Sequence, residues 1–199
     1  LVQTRQELKG VDPETGEVLW SQFVPSFRGM NILTPLAHGD GIFTSSSRNA
    51  SWFFDVTQGG EGYAVAERWS NKTHAYMSSP VKVGEVVYSH LGNGRLTAIN
   101  LETGESYWTT QPMGDYWSMV HRQGTILALN EKGELLLIEA SPESFNLLDQ
   151  REVADAETWG HVAVSGNQIF VRELEALSAW TWDTPPAAPQ AETTEASGE

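Results

Sequence analysis

The chain has 199 residues, enough for one domain with a real core; it carries a formal net charge of −14 and no cysteine. That charge argues against nucleic acid and anionic membrane surfaces as partners, and the missing thiol excludes disulfides, thiolate metal sites and cysteine nucleophiles. Eight Trp, 18 Gly and 9 Pro point to a turn-rich, all-β protein with large packing anchors, and no stretch approaches the roughly 18 apolar residues of a membrane-spanning helix.

Leu1 is not followed by a charged-then-apolar leader, so a mature secreted chain, a cytosolic domain and a fragment could all begin this way. The first predicted strand is near Glu7–Val11. It runs into Gly10-Val-Asp12-Pro-Glu-Thr15-Gly16-Glu-Val-Leu-Trp20. In this turn Asp12 accepts backbone N–H groups, and Thr15 can do so more weakly. Gly16 supplies the left-handed conformation. Trp20, four residues on along the next strand, offers a large surface to a neighbouring sheet. Thr34–Gly39 then leads into Ile42-Phe43, and the longer turn Gln58–Gly62 precedes a strand with Trp69.

The next repeat is the clearest. Strands are predicted near Ser79–Val83, Val86–His90, Arg95–Ile99 and Glu105–Thr109, with turns at Gly84, Gly92-Asn93-Gly94 and Asn100–Gly104. The Asn-Gly step is a strong hairpin signal, because both central residues of a tight turn can need positive φ. Ala98-Ile-Asn100-Leu-Glu-Thr103-Gly104-Glu-Ser-Tyr-Trp108 repeats the earlier turn position by position. Met119–Gly124 opens the following repeat, with strands Thr125–Asn130 and Glu134–Ala140 around Glu131-Lys132-Gly133. The continuous run Leu135–Ile138 suits a strand covered on both faces. Asn146-Leu147-Leu148 stands where the strand Trp is expected, and no Trp is there.

His161–Gly166 precedes Ile169–Val171. In Glu173–Trp182, Leu174, Leu177 and Trp180 have helix-like spacing. The segment still reads as a strand, because it falls where the third strand of the last repeat belongs. The tail, residues 184–199, has no apolar residue larger than Ala or Pro and is predicted to be disordered.

Gly39, Gly84, Gly124 and Gly166 lie 45, 40 and 42 residues apart, the period of four-stranded propeller blades. With the two matched turns, the chain resembles the pyrroloquinoline-quinone (PQQ)-like β-propeller repeat family, of BamB-like and quinoprotein-like type. That family's tryptophan-docking motif, Ala-x-Asp-x-x-x-Gly-x-x-x-Trp, matches Asp12, Thr15, Gly16 and Trp20. It matches again at Ala98, Asn100, Thr103, Gly104 and Trp108, and in part at Trp69. The resemblance implies four-stranded antiparallel blades over residues 1–183, ending near 23, 70, 111, 154 and 183. Three blades read as complete and two as partial. The first is expected to begin at its third strand and the fifth to stop after its third. The reading is the C-terminal part of a longer propeller; a five-bladed ring closed by an unusual strand exchange is the alternative.

The resemblance implies a non-catalytic, protein-binding or assembly scaffold in the cell envelope, periplasmic or extracellular. Its alternative is a PQQ-dependent dehydrogenase of alcohols or sugars. There the family holds Ca²⁺ with Glu, Asn and Asp beside a catalytic Asp and often a vicinal Cys pair. That pair cannot exist here, and no segment matches the calcium or base residues, which would lie outside this stretch. A third reading is the sensor or extracellular domain of a larger membrane protein. No catalytic, cofactor or metal residue is assigned and no cofactor is expected under the first reading. The five His, at 38, 74, 90, 121 and 161, show no metal-ligand pair. Binding is expected on the rim built from the loops between blades and the turns between second and third strands. The candidates there are Arg28, Asn31, Lys72, His74, Tyr76 and Asp115. Trp117 and Trp159 are expected to pack between blades.

Overall fold

The computed structural model describes residues 1–60 and 62–181; the predicted disordered tail lies outside them. Five antiparallel sheets follow one another along the chain, with no α-helix among the described residues. The first holds β1 (Val2–Gln3), β2 (Glu7–Val11) and β3 (Val18–Phe23). The second holds β4 (Leu36–His38), β5 (Gly41–Ser45), β6 (Ser51–Gly59) and β7 (Gly62–Asn71). The third holds β8 (Val81–Val83), β9 (Val86–His90), β10 (Leu96–Asn100) and β11 (Ser106–Thr109). The fourth holds β12 (Trp117–Arg122), β13 (Thr125–Asn130), β14 (Glu134–Glu139) and β15 (Asn146–Glu152). The fifth holds β16 (Ala163–Ser165), β17 (Gln168–Arg172) and β18 (Leu177–Thr181). Each sheet is a meander in chain order, the arrangement of a propeller blade.

The periodic glycines all fall in the loop between the first and second strands, Gly39, Gly84 and Gly166 at its first residue and Gly124 at its second, after Gln123. His38 pairs with Gly41, Val83 with Val86, Arg122 with Thr125 and Ser165 with Gln168. A two-residue loop therefore joins the first two strands of each complete or C-terminal sheet. Such loops match the strand twist only with positive φ, and Gly39, Gly84, Gly124 and Gly166 supply it.

Two expectations need correction. The first blade does not begin at its third strand: Val2 pairs with Lys9 and Gln3 with Leu8, and the Gln3 amide oxygen accepts a bond from the Thr44 hydroxyl in the next sheet. A two-residue strand carries no periodicity, so the sequence gives no signal for it. The second concerns the fourth blade. Each pairing of third and fourth strands has a register shift, after Gly10, Phe53, Ala98 and Leu137. Opposite these residues stand Trp20, Trp69, Trp108 and Asp149. The indole position of the fourth blade is thus held by Asp149, one residue beyond the predicted Asn146–Leu148. Its carboxylate pairs with Arg151.

Apolar cores lie between consecutive sheets. Leu8 and Val24 meet Ile42, Trp52 and Phe54. Phe43 and Phe53 meet Val87, Ile99 and Leu101. Tyr88 and Leu96 join Trp117, Ile126 and Leu136 in the largest cluster, and Leu129 and Leu135 join Val162, Ile169 and Val171. Among the described residues no such cluster joins the fifth sheet to the first. Val18 and Phe23 of the first sheet are exposed, as are Val164, Leu177 and Trp180 of the fifth.

Candidate functional site

The two matched turns are built identically. Asp12 Oδ1 accepts the N–H groups of Glu14 (2.8 Å) and Thr15 (3.0 Å), as Asn100 Oδ1 accepts those of Glu102 (2.8 Å) and Thr103 (3.1 Å). The Thr15 and Thr103 hydroxyls each accept an N–H two residues on, at 3.2 Å. Gly16 and Gly104 donate back to the residue that opens the turn. These bonds hold the Asp12 carboxyl below the ordinary carboxylate range, the Thr15 N–H most and the Glu14 N–H next.

What each turn receives differs. Trp69 donates its indole N–H to the Leu101 carbonyl (2.7 Å), and its ring covers Gly104, where a Cβ would stand 2.6 Å from the indole. Trp108 donates in the same way to the Ser141 carbonyl of the fourth sheet (3.0 Å) and meets the Phe145 ring edge-on. Trp20 packs on the cluster of Ile42, Trp52 and Phe54, with its ring over Gly10 of its own sheet. Nothing lies within 4 Å of the Cβ position of Gly16.

This contrast gives a clean pair of substitutions. Both glycines have φ near +75°, at +77° and +75°. Gly16→Ala should cost about 1 kcal/mol, the left-handed penalty alone. Gly104→Ala should cost about 3 kcal/mol, because the new methyl also displaces the Trp69 ring. Denaturant midpoints of the two variants measure the difference; equal losses would contradict it.

The rim candidates separate. Arg28 sits in the 3₁₀ turn Phe27–Gly29 with φ 54°. Asn31 is a fastener: its amide donates to the carbonyls of Arg5 (3.2 Å) and Val24 (2.9 Å). Lys72 and His74 line one cavity with Thr73, Leu91 and Asn93. Tyr76 and Asp115 are exposed, and the Asp115 N–H donates to Glu131. Arg28 lines a different cavity from Lys72 and His74, so the structure does not bring the candidates into one site. Trp117 is wholly buried, whereas Trp159 lies 43% exposed, stacked on Tyr116 at 5.5 Å rather than packed between sheets.

Sequence reasoning missed His90. It is buried, stacked on Trp117 at 5.0 Å, with Nδ1 3.3 Å from the Ser78 hydroxyl. That hydroxyl also accepts the Trp117 N–H. Desolvation pushes the imidazole down to about 4; the Gly114 carbonyl and the Glu131 charge oppose this, yet Nε2 has no hydrogen-bond partner. Also unforeseen is Arg68, which crosses from the second sheet to the third by pairing with Asp55 and Glu102.

Among the described residues no group of three or more His, Asp or Glu is placed to hold a metal ion. No helix among them is long and apolar enough to cross a membrane.

The sequence profile of the family described as outer membrane protein assembly factor BamB matches residues 1–110. No curated protein matches the chain by sequence. Among solved structures, BamB from Moraxella catarrhalis is similar with a TM-score of 0.67 at 14% identity, over 88% of this chain and 51% of that one. Saccharomyces cerevisiae Sqt1 reaches 0.64 at 12% identity, over 84% of this chain and 51% of its own. The computationally designed protein Ika4 reaches 0.56 at 9% identity, over 74% and 88%. Identities this low carry the fold alone, and this chain spans about half the length of the BamB structure. A profile match over more than half of the sequence, falling on sheets that repeat with the expected period, shows that the chain belongs to the BamB family of PQQ-like β-propellers.

Proposed function

We propose that this propeller is a non-catalytic scaffold that docks a protein partner during protein assembly in the bacterial cell envelope. The family description supports an assembly role. The observation that carries the docking is the loop around Phe27. Phe27 is 36% exposed, with the Arg28 guanidinium 5.0 Å and the Arg48 guanidinium 4.7 Å from its ring centre. Both arginines have φ 54°, a backbone state that costs about 1–3 kcal/mol for a non-glycine residue and gathers at binding loops. The loop is braced from the second sheet: the Ser46 hydroxyl and Asn49 amide donate to the Pro25 carbonyl, and the Phe27 N–H to Ser47. Arg5 adds a third guanidinium, donating to the Arg28 carbonyl (3.3 Å), beside a cavity of about 930 Å³.

Among the described residues none of these three arginines pairs with a carboxylate. In a chain of net charge −14, an unpaired cationic cluster around an exposed ring suits an acidic partner surface. Aromatic and Arg side chains dominate interface hot spots, and complementary charge sets register and encounter rate.

A photo-crosslinker at Phe27 should give one discrete protein adduct in envelope fractions, while the same group at exposed Leu148 gives none. Arg28→Glu should weaken that partner's affinity by about tenfold or more. Equal labelling from both positions would reject the loop as the docking site. Uptake of PQQ with Ca²⁺ and oxidation of an alcohol or sugar by the full-length protein would put the oxidoreductase in place of the scaffold.

A further inference from the structure

We propose that Trp159, where the β15–β16 loop meets the β11–β12 loop, docks a basic segment of a protein partner, with an arginine side chain laid on its free indole face. Trp159 is exposed, whereas Tyr116 beneath it is buried, and the two rings stack at 5.5 Å with 27° between their planes. Among the described residues no second ring and no guanidinium covers the other face of the indole. Trp and Arg dominate interface hot spots, and a guanidinium is the cation that stacks best on an indole.

The ring is held in place before any partner arrives. Glu131, in the β13–β14 turn, is buried and ties both loops together. Its carboxylate accepts the N–H groups of Asp115 (3.0 Å) and Tyr116 (3.2 Å), and its carbonyl accepts that of Thr158 (3.0 Å). The Thr158 hydroxyl donates to the Asn130 carbonyl, and Trp159 Nε1 donates to Glu157 (3.0 Å). A Cβ on Gly160 would stand 2.9 Å from the Arg172 Cβ, so the glycine lets the loop close against the β17–β18 turn. A side chain fixed beforehand loses less entropy when the partner binds.

The surroundings set the sign of the partner. Asp155 and Glu157 share the loop of Trp159, Asp115 adjoins Tyr116, and Glu173 and Glu175 stand in the β17–β18 turn that Gly160 approaches. Among the described residues none of these five carboxylates forms an ion pair. Arg172, the cation beside them, donates to the Ala176 carbonyl (3.2 Å). Unpaired carboxylates around an exposed indole favour a cationic ligand over an anion or a neutral sugar. Leu174 is exposed in the same turn and offers apolar surface to the methylenes of an arginine stem. The surface is opposite in sign to the arginine loop at Phe27, so the two would not compete for one partner segment.

The test is an NMR titration of the full chain, read at backbone amides and indole N–H groups, with a capped tri-arginine peptide. A capped tri-glutamate peptide and neutral chitotriose at matched ionic strength are the controls. The expected result is saturable shifts of the Trp159 indole N–H and of amides in 155–160 and 172–175 with tri-arginine, and none with the controls. Trp159→Ala should weaken binding by about tenfold. Asp155→Lys combined with Glu175→Lys changes only exposed side chains and should weaken it by about tenfold with the melting temperature unchanged. Arg28→Glu should leave it intact, which separates this surface from the loop around Phe27. No saturable shift, shifts confined to other acidic surfaces, or an affinity that survives either the ring truncation or the charge reversal would overturn the proposal. So would saturation of the indole by chitotriose in place of the peptide.

Discussion

Replacing Trp69 or Trp108 by Ala should each lower the unfolding free energy by about 3 kcal/mol. Each indole spans two sheets, donates to a carbonyl of the next one and packs there on Gly104 (Trp69) or Phe145 (Trp108). Truncation removes the packing, leaves a cavity between sheets and frees the Leu101 or Ser141 carbonyl. Phe in place of Trp69 keeps most of the ring and loses the N–H, so it should cost about 1 kcal/mol. Trp20→Ala should cost less than the other two, since its ring packs on the second sheet without a hydrogen bond to it among the described residues. The two large losses concern different interfaces and should add within about 0.5 kcal/mol. Urea unfolding followed by far-ultraviolet circular dichroism checks this without relying on the indoles for signal. Losses no larger than those of a surface substitution would remove the indoles from the account of stability.

Lowering the pH from 6.5 to 4 should destabilise the protein through His90 by on the order of 3 kcal/mol. In the unfolded chain the imidazole titrates near its ordinary value, and in the folded protein burial holds it down to about 4. Above pH 6.5 both states are neutral, and the group adds no pH dependence. Between pH 6.5 and 4 the unfolded state binds the extra proton, so stability falls as the solution becomes more acidic. Below about 4 both states are protonated and the loss levels off. His90→Gln should be less stable at neutral pH, because the stack on Trp117 is lost, but its acid limb should be flatter over this window. Glu7 and Asp12, whose carboxyls are held low by hydrogen bonds first to Lys9 and to the Thr15 N–H, lose their contribution at lower pH. An unchanged slope in the variant would assign the acid sensitivity to other groups.

The blade period was legible because each element of it is local. Asp12 and Asn100 make their turns with atoms two to four residues away, and Gly39, Gly84, Gly124 and Gly166 set two-residue hairpins by their own φ. Features that depend on distant partners were not legible. Asn31 reads as a rim ligand until its bond to the Arg5 carbonyl is seen, 26 residues away. His90 lies in an ordinary apolar-rich strand, and only the ring of Trp117 from the next sheet makes it a buried base. Asp149 was misplaced by a residue because a register shift in the strand pair moves the position opposite Leu137. The cleft lined by Lys72, His74 and Asn93 lies across two sheets, and spacing along the chain does not report that meeting.

The separate cores between sheets give the chain a modular tolerance. Each sheet leans on its immediate neighbours, so a change in one interface is felt next door and fades beyond it. The fourth sheet shows the outcome: with Asp149 standing in for an indole, the boundary with the fifth is held by the cluster of Leu129, Leu135, Val153, Ala154, Val162, Ile169 and Val171 and by the Val162 N–H donating to the Ser118 hydroxyl. Drift at one boundary can therefore proceed without disturbing the others, which leaves exposed loops such as the one around Phe27 free to diversify on an unchanged frame.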